Sequence, residues 1–247
     1  MTATEQKFQL IELDMVDSTN NHAMSLIREN KAVNGMAINA AHQTAGKGQR
    51  GKVWKDEAGE SINCSLIIEP ELYNIQNPFH LVAVTACALR KVVEATIRHS
   101  VQIKWPNDIY VNDRKAAGIL IETISRGNKW QWAVIGFGIN VNQKNFPAEL
   151  PNPVSLRQST GRVYELQRLV EDCLNIIIHD LSNKRFEEIF AVYNKYLYKR
   201  NEAVTLQWKE SVINGLLVGA DKNGSLIIEG DKYPPFQPGE VHWLGNI

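Results

Sequence analysis

Residues 43–69 read QTAGKGQRGKVWKDEAGESINCSLIIE. The first half sets Gly46, Gly48 and Gly51 in the pattern G-x-G-x-x-G, and residues 46–52 also match G-x4-G-K. A P-loop needs Ser or Thr after that lysine to hold Mg2+, and Val53 stands there. The P-loop and the dinucleotide fingerprint both need a helix directly behind the glycines, because its N-terminus binds the phosphates. Here the chain runs through Gly59 into the apolar stretch 61–69, which reads as a strand. Context therefore excludes both nucleotide folds and makes residues 44–55 a loop between two strands, 35–43 and 61–69. The chemistry of the loop survives that exclusion. Lys47, Arg50, Lys52 and Lys55 place four cations in nine residues, with no acid before Asp56. Glycines let backbone N–H groups approach an anion closely, and Trp54 offers a flat face for an adenine. Taken alone, the loop fits a phosphate cradle and equally a solvated loop with its Trp tucked into the core.

Outward from the loop, residues 8–16 read as a strand and 18–30 as a helix with Asp17 or Ser18 as N-cap. The longest helical pattern covers 77–97. Strands follow at 102–104, 109–112, 115–125 and 129–140, the last two forming a hairpin around Arg126, Gly127 and Asn128. Helices are expected over 165–181 and 186–199. After Arg200 the character changes to short β-like runs (203–208, 212–219, 225–229, 239–243) separated by turns such as Asp221-Lys222-Asn223-Gly224. This tail resembles a small β-barrel appendage, so the expected division is 1–200 and 201–247.

The 247 residues carry 27 Lys plus Arg against 27 Asp plus Glu, a net charge of zero that gives no general pull toward nucleic acid or anionic membrane. The tail, with three Lys against six acids, is poorly suited to gripping phosphates. Cys64, Cys87 and Cys173 are odd in number and far apart, which suits a reduced protein better than a disulfide framework or zinc site. The first ten residues lack a signal-peptide apolar region, and no segment approaches the ~18 apolar residues of a membrane span. A cytoplasmic location is expected.

Three further strings stand out. In Lys104-Trp105-Pro106-Asn107-Asp108 a lysine ends a strand and two polar residues follow in a defined turn. Alone, this string reads as a structural turn around a buried Trp. In Lys115-Ala116-Ala117-Gly118-Ile119-Leu120-Ile121-Glu122 a lysine opens an apolar strand, where it can project as a point charge into a pocket or simply end the strand in water. In Gly136-Phe137-Gly138-Ile139-Asn140 glycines inside a strand mark close approach of a ligand or another backbone, or a bulge.

Together with Asp17-Ser18-Thr19-Asn20 and Gln43-Thr44-Ala45-Gly46, these strings, in this order, resemble the biotin protein ligases over residues 10–145. The resemblance implies an α+β fold: a mixed sheet with helices, similar to the class II aminoacyl-tRNA synthetase catalytic fold, plus a small SH3-like C-terminal barrel. It implies a two-step reaction in which ATP and biotin give biotinyl-5′-adenylate, and the biotinyl group then passes to a lysine of a biotin carboxyl carrier domain. Mg2+ is expected to accompany ATP, with no further metal site.

The resemblance also implies roles. Lys115 is the catalytic lysine between carboxylate and phosphate, with Arg50 and Asp108 beside it. Ser18, Thr19, Asn20 and Gln43 face the ureido ring. Gly46, Lys47, Gly48, Gln49, Gly118, Gly136 and Gly138 complete the biotin site. Lys47, Arg50, Lys52, Trp54, Lys104, Asn107, Asp108 and Asn140 hold ATP or the adenylate. One familiar form of the loop has arginine where Lys47 and Gln49 stand, so looser retention of the adenylate is expected here.

Three other functions compete. A bifunctional ligase–repressor carries a helix-turn-helix domain before the Ser-Thr-Asn motif; 17 residues precede Ser18, fewer than such a module needs, so no DNA binding is expected. A lipoate or octanoate ligase or transferase shares the fold, but Ser18, Thr19, Asn20 and Gln43 suit a ureido ring better than an aliphatic chain. A non-enzymatic biotin-binding protein leaves the basic loop and Trp54 without a purpose. The carrier is expected to add a strand to the sheet edge formed by the 115–140 hairpin. Monomer and homodimer both stay open.

Overall fold

The computed structural model describes residues 8–127, 129–230 and 233–244. In chain order the strands and helices are β1 (Gln9–Val16), α1 (Thr19–Arg28), β2 (Met36–Gln43), β3 (Ser61–Ile68), α2 (Pro78–Ile97), β4 (Val101–Lys104), β5 (Asp108–Val111), β6 (Arg114–Arg126) and β7 (Lys129–Asn140). Then come α3 (Leu156–Thr160), α4 (Leu166–Asn183), α5 (Phe186–Lys195), β8 (Ala203–Trp208), β9 (Ser211–Ala220), β10 (Leu226–Ile228) and β11 (Val241–Trp243). Every expected strand and helix is present within a few residues. Besides a 3-10 turn at Pro70–Tyr73, three features differ from the sequence reading. The glycine stretch is not all loop but contains a short 3-10 turn at Gln49–Gly51. The helix α3, too short to show a period, is set by a Ser155–Gln158 capping box and closed by Gly161 in the left-handed conformation. The last helix of the first half stops at Lys195 rather than continuing to Lys199. The expected turn residue Asn128 lies outside the described residues.

Seven strands form one mixed sheet in the order β1-β2-β3-β7-β6-β5-β4, in which only β1 and β2 run parallel. The period-2 alternation of its strands gives it two different faces. Ile62, Cys64, Leu66 and Ile68 of β3 and Ala133, Ile135, Phe137 and Ile139 of β7 join the core with α2 and α4. The opposite face is apolar only at one end, where Ile38, Ile67 and Val134 pack under Ala23 and Ile27 of α1. Toward the other end the face carries small and polar residues together with Leu120, and the site lies there.

A second sheet, β10-β9-β8-β11, follows residue 200. It is fastened to the first by polar contacts at tight places. Trp105 is buried and its Nε1 donates to the Gly224 carbonyl at 2.8 Å. Asn194 Oδ1 accepts from the Ala220 N–H at 2.8 Å.

The expected docking edge needs correction. The β6–β7 hairpin is not at the side of the sheet: β7 lies between β3 and β6, and β6 between β7 and β5. However, β5 is only four residues long and its pairing with β6 stops at Gly118. Among the described residues, positions 120–126 of β6 therefore pair with β7 alone and leave their other backbone edge open.

Candidate active site

Strand register builds the site. Asn63 of β3 stands opposite Gly138 of β7, Gly138 opposite Gly118 of β6, Gly118 opposite Asp108 of β5, and Asp108 opposite Lys104 of β4. Directly opposed residues of an antiparallel pair share a face, so these five form one row across the sheet. A second row runs Ser65, Gly136, Leu120. The two central glycines of the first row and Gly136 of the second leave a floor without side chains, over which groups from elsewhere can lie.

Lys115 reaches this face through a bulge. Pairing slips between Ile109 and Tyr110, so that Tyr110 faces Lys115 while Ile109 faces Ala117. Ala116 and Ala117 both enter the core, and Lys115 emerges on the side of Gly118 although it is three residues away. A methyl built on Gly118 would lie 3.2 Å from Lys115 Nζ. A bulge re-aims a side chain in this way. Lys115 Nζ sits 2.7 Å from Asp108 Oδ1. The approach misses the hydrogen-bond direction, so the contact is an ion pair with both partners part-exposed. Asn140 donates Nδ2 to the carbonyls of Lys115 (3.3 Å) and Val154 (3.2 Å), which holds the lysine's backbone rather than pointing into free space.

The polar wall comes from the start of α1. Ser18 is its N-cap by backbone position, but the hydroxyl makes no cap bond; Thr19 and Asn20, in the first turn, are buried with it. Gln43 Oε1 accepts from the Thr19 N–H at 2.8 Å. Asn20 donates to Glu122 Oε2 (2.7 Å), and Ser65 Oγ lies 2.6 Å from Asn20 Oδ1 and 2.7 Å from Thr19 Oγ1.

The glycine loop folds on itself. Gly48 N–H donates to the Lys52 carbonyl (2.7 Å), Trp54 N–H to the Gly46 carbonyl (2.9 Å), and a methyl on Gly46 would lie 2.5 Å from the Trp54 carbonyl. Trp54 lies over Gly138, whose built methyl would come within 2.5 Å of the indole ring. Lys47 Nζ is 3.7 Å from Glu122 Oε1, and Lys55 pairs with Glu149 at 2.5 Å. With Trp54 in place the cavity measures about 50 Å³, so the indole fills much of the space over the glycine floor.

Of the residues singled out by sequence, this cavity brings together Ser18, Thr19, Asn20 and Gln43, the loop residues Lys47, Gly48, Gln49 and Trp54, and Asn107, Lys115, Gly118, Gly136 and Gly138. Gly46, packed against the Trp54 carbonyl, is outside the lining. Asp108 and Asn140 contact Lys115 from outside the cavity lining. Lys104 stands at the end of the row, its Nζ donating to Tyr110 Oη at 3.0 Å. Lys52 projects to solvent. Arg50, with φ +57°, turns away to rest on Gly239, in the turn before β11. Asn107 uses its Nδ2 on the Ile119 carbonyl (2.6 Å), tying the turn to β6. Sequence reading missed Asn63, Ser65 and Glu122. The signal for the first two is the alternation Ser61, Asn63, Ser65 in a strand whose other residues are apolar.

The sequence profile of the biotin/lipoate A/B protein ligase family matches residues 12–140. The bifunctional ligase/repressor BirA of Bacillus spizizenii is 31% identical over 226 residues, covering 89% of this chain and 69% of that protein. The biotin–[acetyl-CoA-carboxylase] ligase of Paracoccus denitrificans is 28% identical over 88% of this chain and 93% of its own. Biotin protein ligase from Aquifex aeolicus, solved in complex with biotin and ATP, superposes with a TM-score of 0.80 at 27% identity, over 95% of this chain and 97% of that one. The chain belongs to the biotin/lipoate A/B protein ligase family.

Proposed function

We propose that the chain is an ATP-dependent ligase that activates biotin as biotinyl-5′-adenylate and passes the biotinyl group to one lysine of a biotin carboxyl carrier domain. The observation that carries this reading is the meeting, over one glycine floor, of Lys115, a neutral polar wall and a cationic loop. In the first step a carboxylate attacks the α-phosphorus and pyrophosphate leaves. Two anions must meet, so a fixed cation between them lowers the barrier. Lys115, steadied by Asp108 and by Asn140 at its backbone, supplies that charge. Thr19, Asn20 and Gln43 give the donors and acceptors a ureido ring needs, and Gly136 leaves room for it. Trp54 is the platform for adenine, while Lys47, Arg50, Lys52, Lys104 and Asn107 serve the nucleotide and its phosphates. In the second step the acceptor amine attacks the acyl carbon and AMP leaves. A closed loop keeps water from the adenylate.

Mg2+ enters with ATP as part of the substrate. Mg2+ commonly keeps several waters and binds through substrate phosphates, so phosphate oxygens and water would supply most of its ligands. The carrier docks, in this reading, by adding a strand along the open edge of β6 at residues 120–126. In this reading residues 1–200 are the catalytic unit and 201–247 an appended unit. A cytoplasmic location accords with three buried, unpaired cysteines and with described helices too short or too polar to cross a membrane.

The test is pyrophosphate release with biotin, lipoate or octanoate, followed by transfer to a carrier domain. Biotin is expected to be preferred; preference for either of the other acids would move the chain to the lipoate branch. Lys115→Ala is expected to lower turnover about 100-fold or more while circular dichroism stays unchanged. Near-normal turnover would remove Lys115 from its role.

A further inference from the structure

We propose that Asn63 is a positioning residue that couples the two substrate pockets through its single carboxamide oxygen. The inference rests on the ligase reading above. Asn63 is 1% exposed. Its Oδ1 accepts from Trp54 Nε1 at 2.9 Å and from Gln43 Nε2 at 3.2 Å. Its Nδ2 donates to Asp56 Oδ2 at 2.8 Å and to the Ala40 carbonyl at 3.3 Å. Both lone pairs and both N–H groups are thereby used, and the amide has one orientation: reversing it would set its donors against two other donors and its oxygen against a carboxylate. The Asp56 side chain is 1% exposed and has its other polar neighbour, His42 Nδ1, 3.5 Å away. Such a buried carboxylate anchors Asn63 from behind.

The two donors on Asn63 belong to opposite sides of the site. Gln43 continues to Thr19 through its Oε1 and so to the polar wall. Trp54 covers Gly138, the neighbour of Asn63 in the first row. A ligand that shifts either donor changes how the shared oxygen serves the other. Nothing else described joins the indole to the wall so directly. Occupancy of the acid pocket and the adenine platform therefore affect each other, and thermodynamics requires the effect to be reciprocal.

The experiment measures, on the intact protein, the Kd of biotin with and without α,β-methylene-ATP, and the reverse, together with KM for each substrate. The wild type is expected to show one factor in both directions, about 5-fold or more. Asn63→Leu should bring that factor near one and raise KM for both substrates by about 5-fold each, because one hydrogen bond is lost on each side. Trp54→Phe removes the indole N–H but leaves Asn63 on Gln43. It should raise KM for ATP alone and also abolish the coupling. If Asn63→Leu fails to fold, Trp54→Phe decides the matter by itself. A wild-type factor of one, or a factor unchanged in either folded variant, overturns the proposal. If the wild type prefers lipoate or octanoate, the choice of acid in the ligase reading fails, and the coupling stands or falls on the same factor measured with that acid.

Discussion

Lys104 shows how much one residue's surroundings decide. Its Nζ lies 4.8 Å from the Tyr110 ring and 5.3 Å from the Trp243 ring, between the two sheets. Burial lowers its pKa from 10.5 to about 8, Lys115, Lys52 and Lys199 push the same way, and Asp108 opposes them. The folded chain thus binds fewer protons at Lys104 than the unfolded chain between about pH 8 and 10.5, so this group's contribution to stability rises with pH across that window. Below it the ammonium stays charged against the cost of burial, and a bound phosphate would relieve that cost. Affinity for an ATP analogue is accordingly expected to weaken as pH rises from about 7 to about 9, with a midpoint near 8. Lys104→Arg, charged throughout, should flatten the profile. Calorimetric titration over that range checks both; an equally steep profile in the arginine variant would assign the step to another group.

At the scale of elements, β7 is a strand whose glycines are required by what lies on them. A methyl at Gly136 would overlap the carboxamide of Asn20, which cannot retreat because Ser65 and Glu122 hold both its ends. At Gly118 the obstacle is only the flexible end of Lys115. Gly136→Ala is therefore expected to cost roughly 1–3 kcal/mol and raise KM for biotin about tenfold, while Gly118→Ala lowers kcat with little loss of stability. Thermal unfolding with steady-state kinetics separates the two, and equal losses would show that the backbone, not Asn20, resists the methyl. The strands themselves were legible, because alternation and turn residues mark them, and so were the motif residues that line the cavity. What could not be read was register. The slip at Ile109 and Tyr110 that turns Lys115 onto the glycine floor has no local sequence signature, and neither does the alignment of Asn63 with Gly138. The hairpin looked like an edge because its two strands are neighbours in sequence; the short β5, which leaves half of β6 open, is a fact of pairing between distant segments. The resemblance implies a phosphate role for Arg50, but its contact about 190 residues further on in sequence, at Gly239, has no sequence signature.

At the scale of the whole molecule, that contact joins the turn before β11 to the loop over the cavity. Gly239 has φ +82°, and a methyl built on it would overlap the Arg50 guanidinium. The arginine therefore lies flat on a backbone that only glycine leaves bare, and the loop that covers the cavity is held from two sides: Trp54 on Gly138 and Arg50 on Gly239. Replacing Gly239 removes the second hold, but it also forces an ordinary residue into the left-handed region, and the two effects must be separated. Gly230 provides the control. Its φ is +93°, and a methyl there meets nothing within 4 Å. Gly230→Ala and Gly239→Ala are each expected to lose about 1–2 kcal/mol from backbone strain. Only Gly239→Ala should free the glycine loop, which carries tryptic sites at Lys47, Arg50, Lys52 and Lys55. Limited trypsin digestion of the native protein, followed by mass spectrometry, should show cleavage within 47–55 several-fold faster in Gly239→Ala than in Gly230→Ala. KM for ATP should rise in the same variant. Equal cleavage in the two would mean that the loop is held by Trp54 alone and that the turn before β11 merely abuts it.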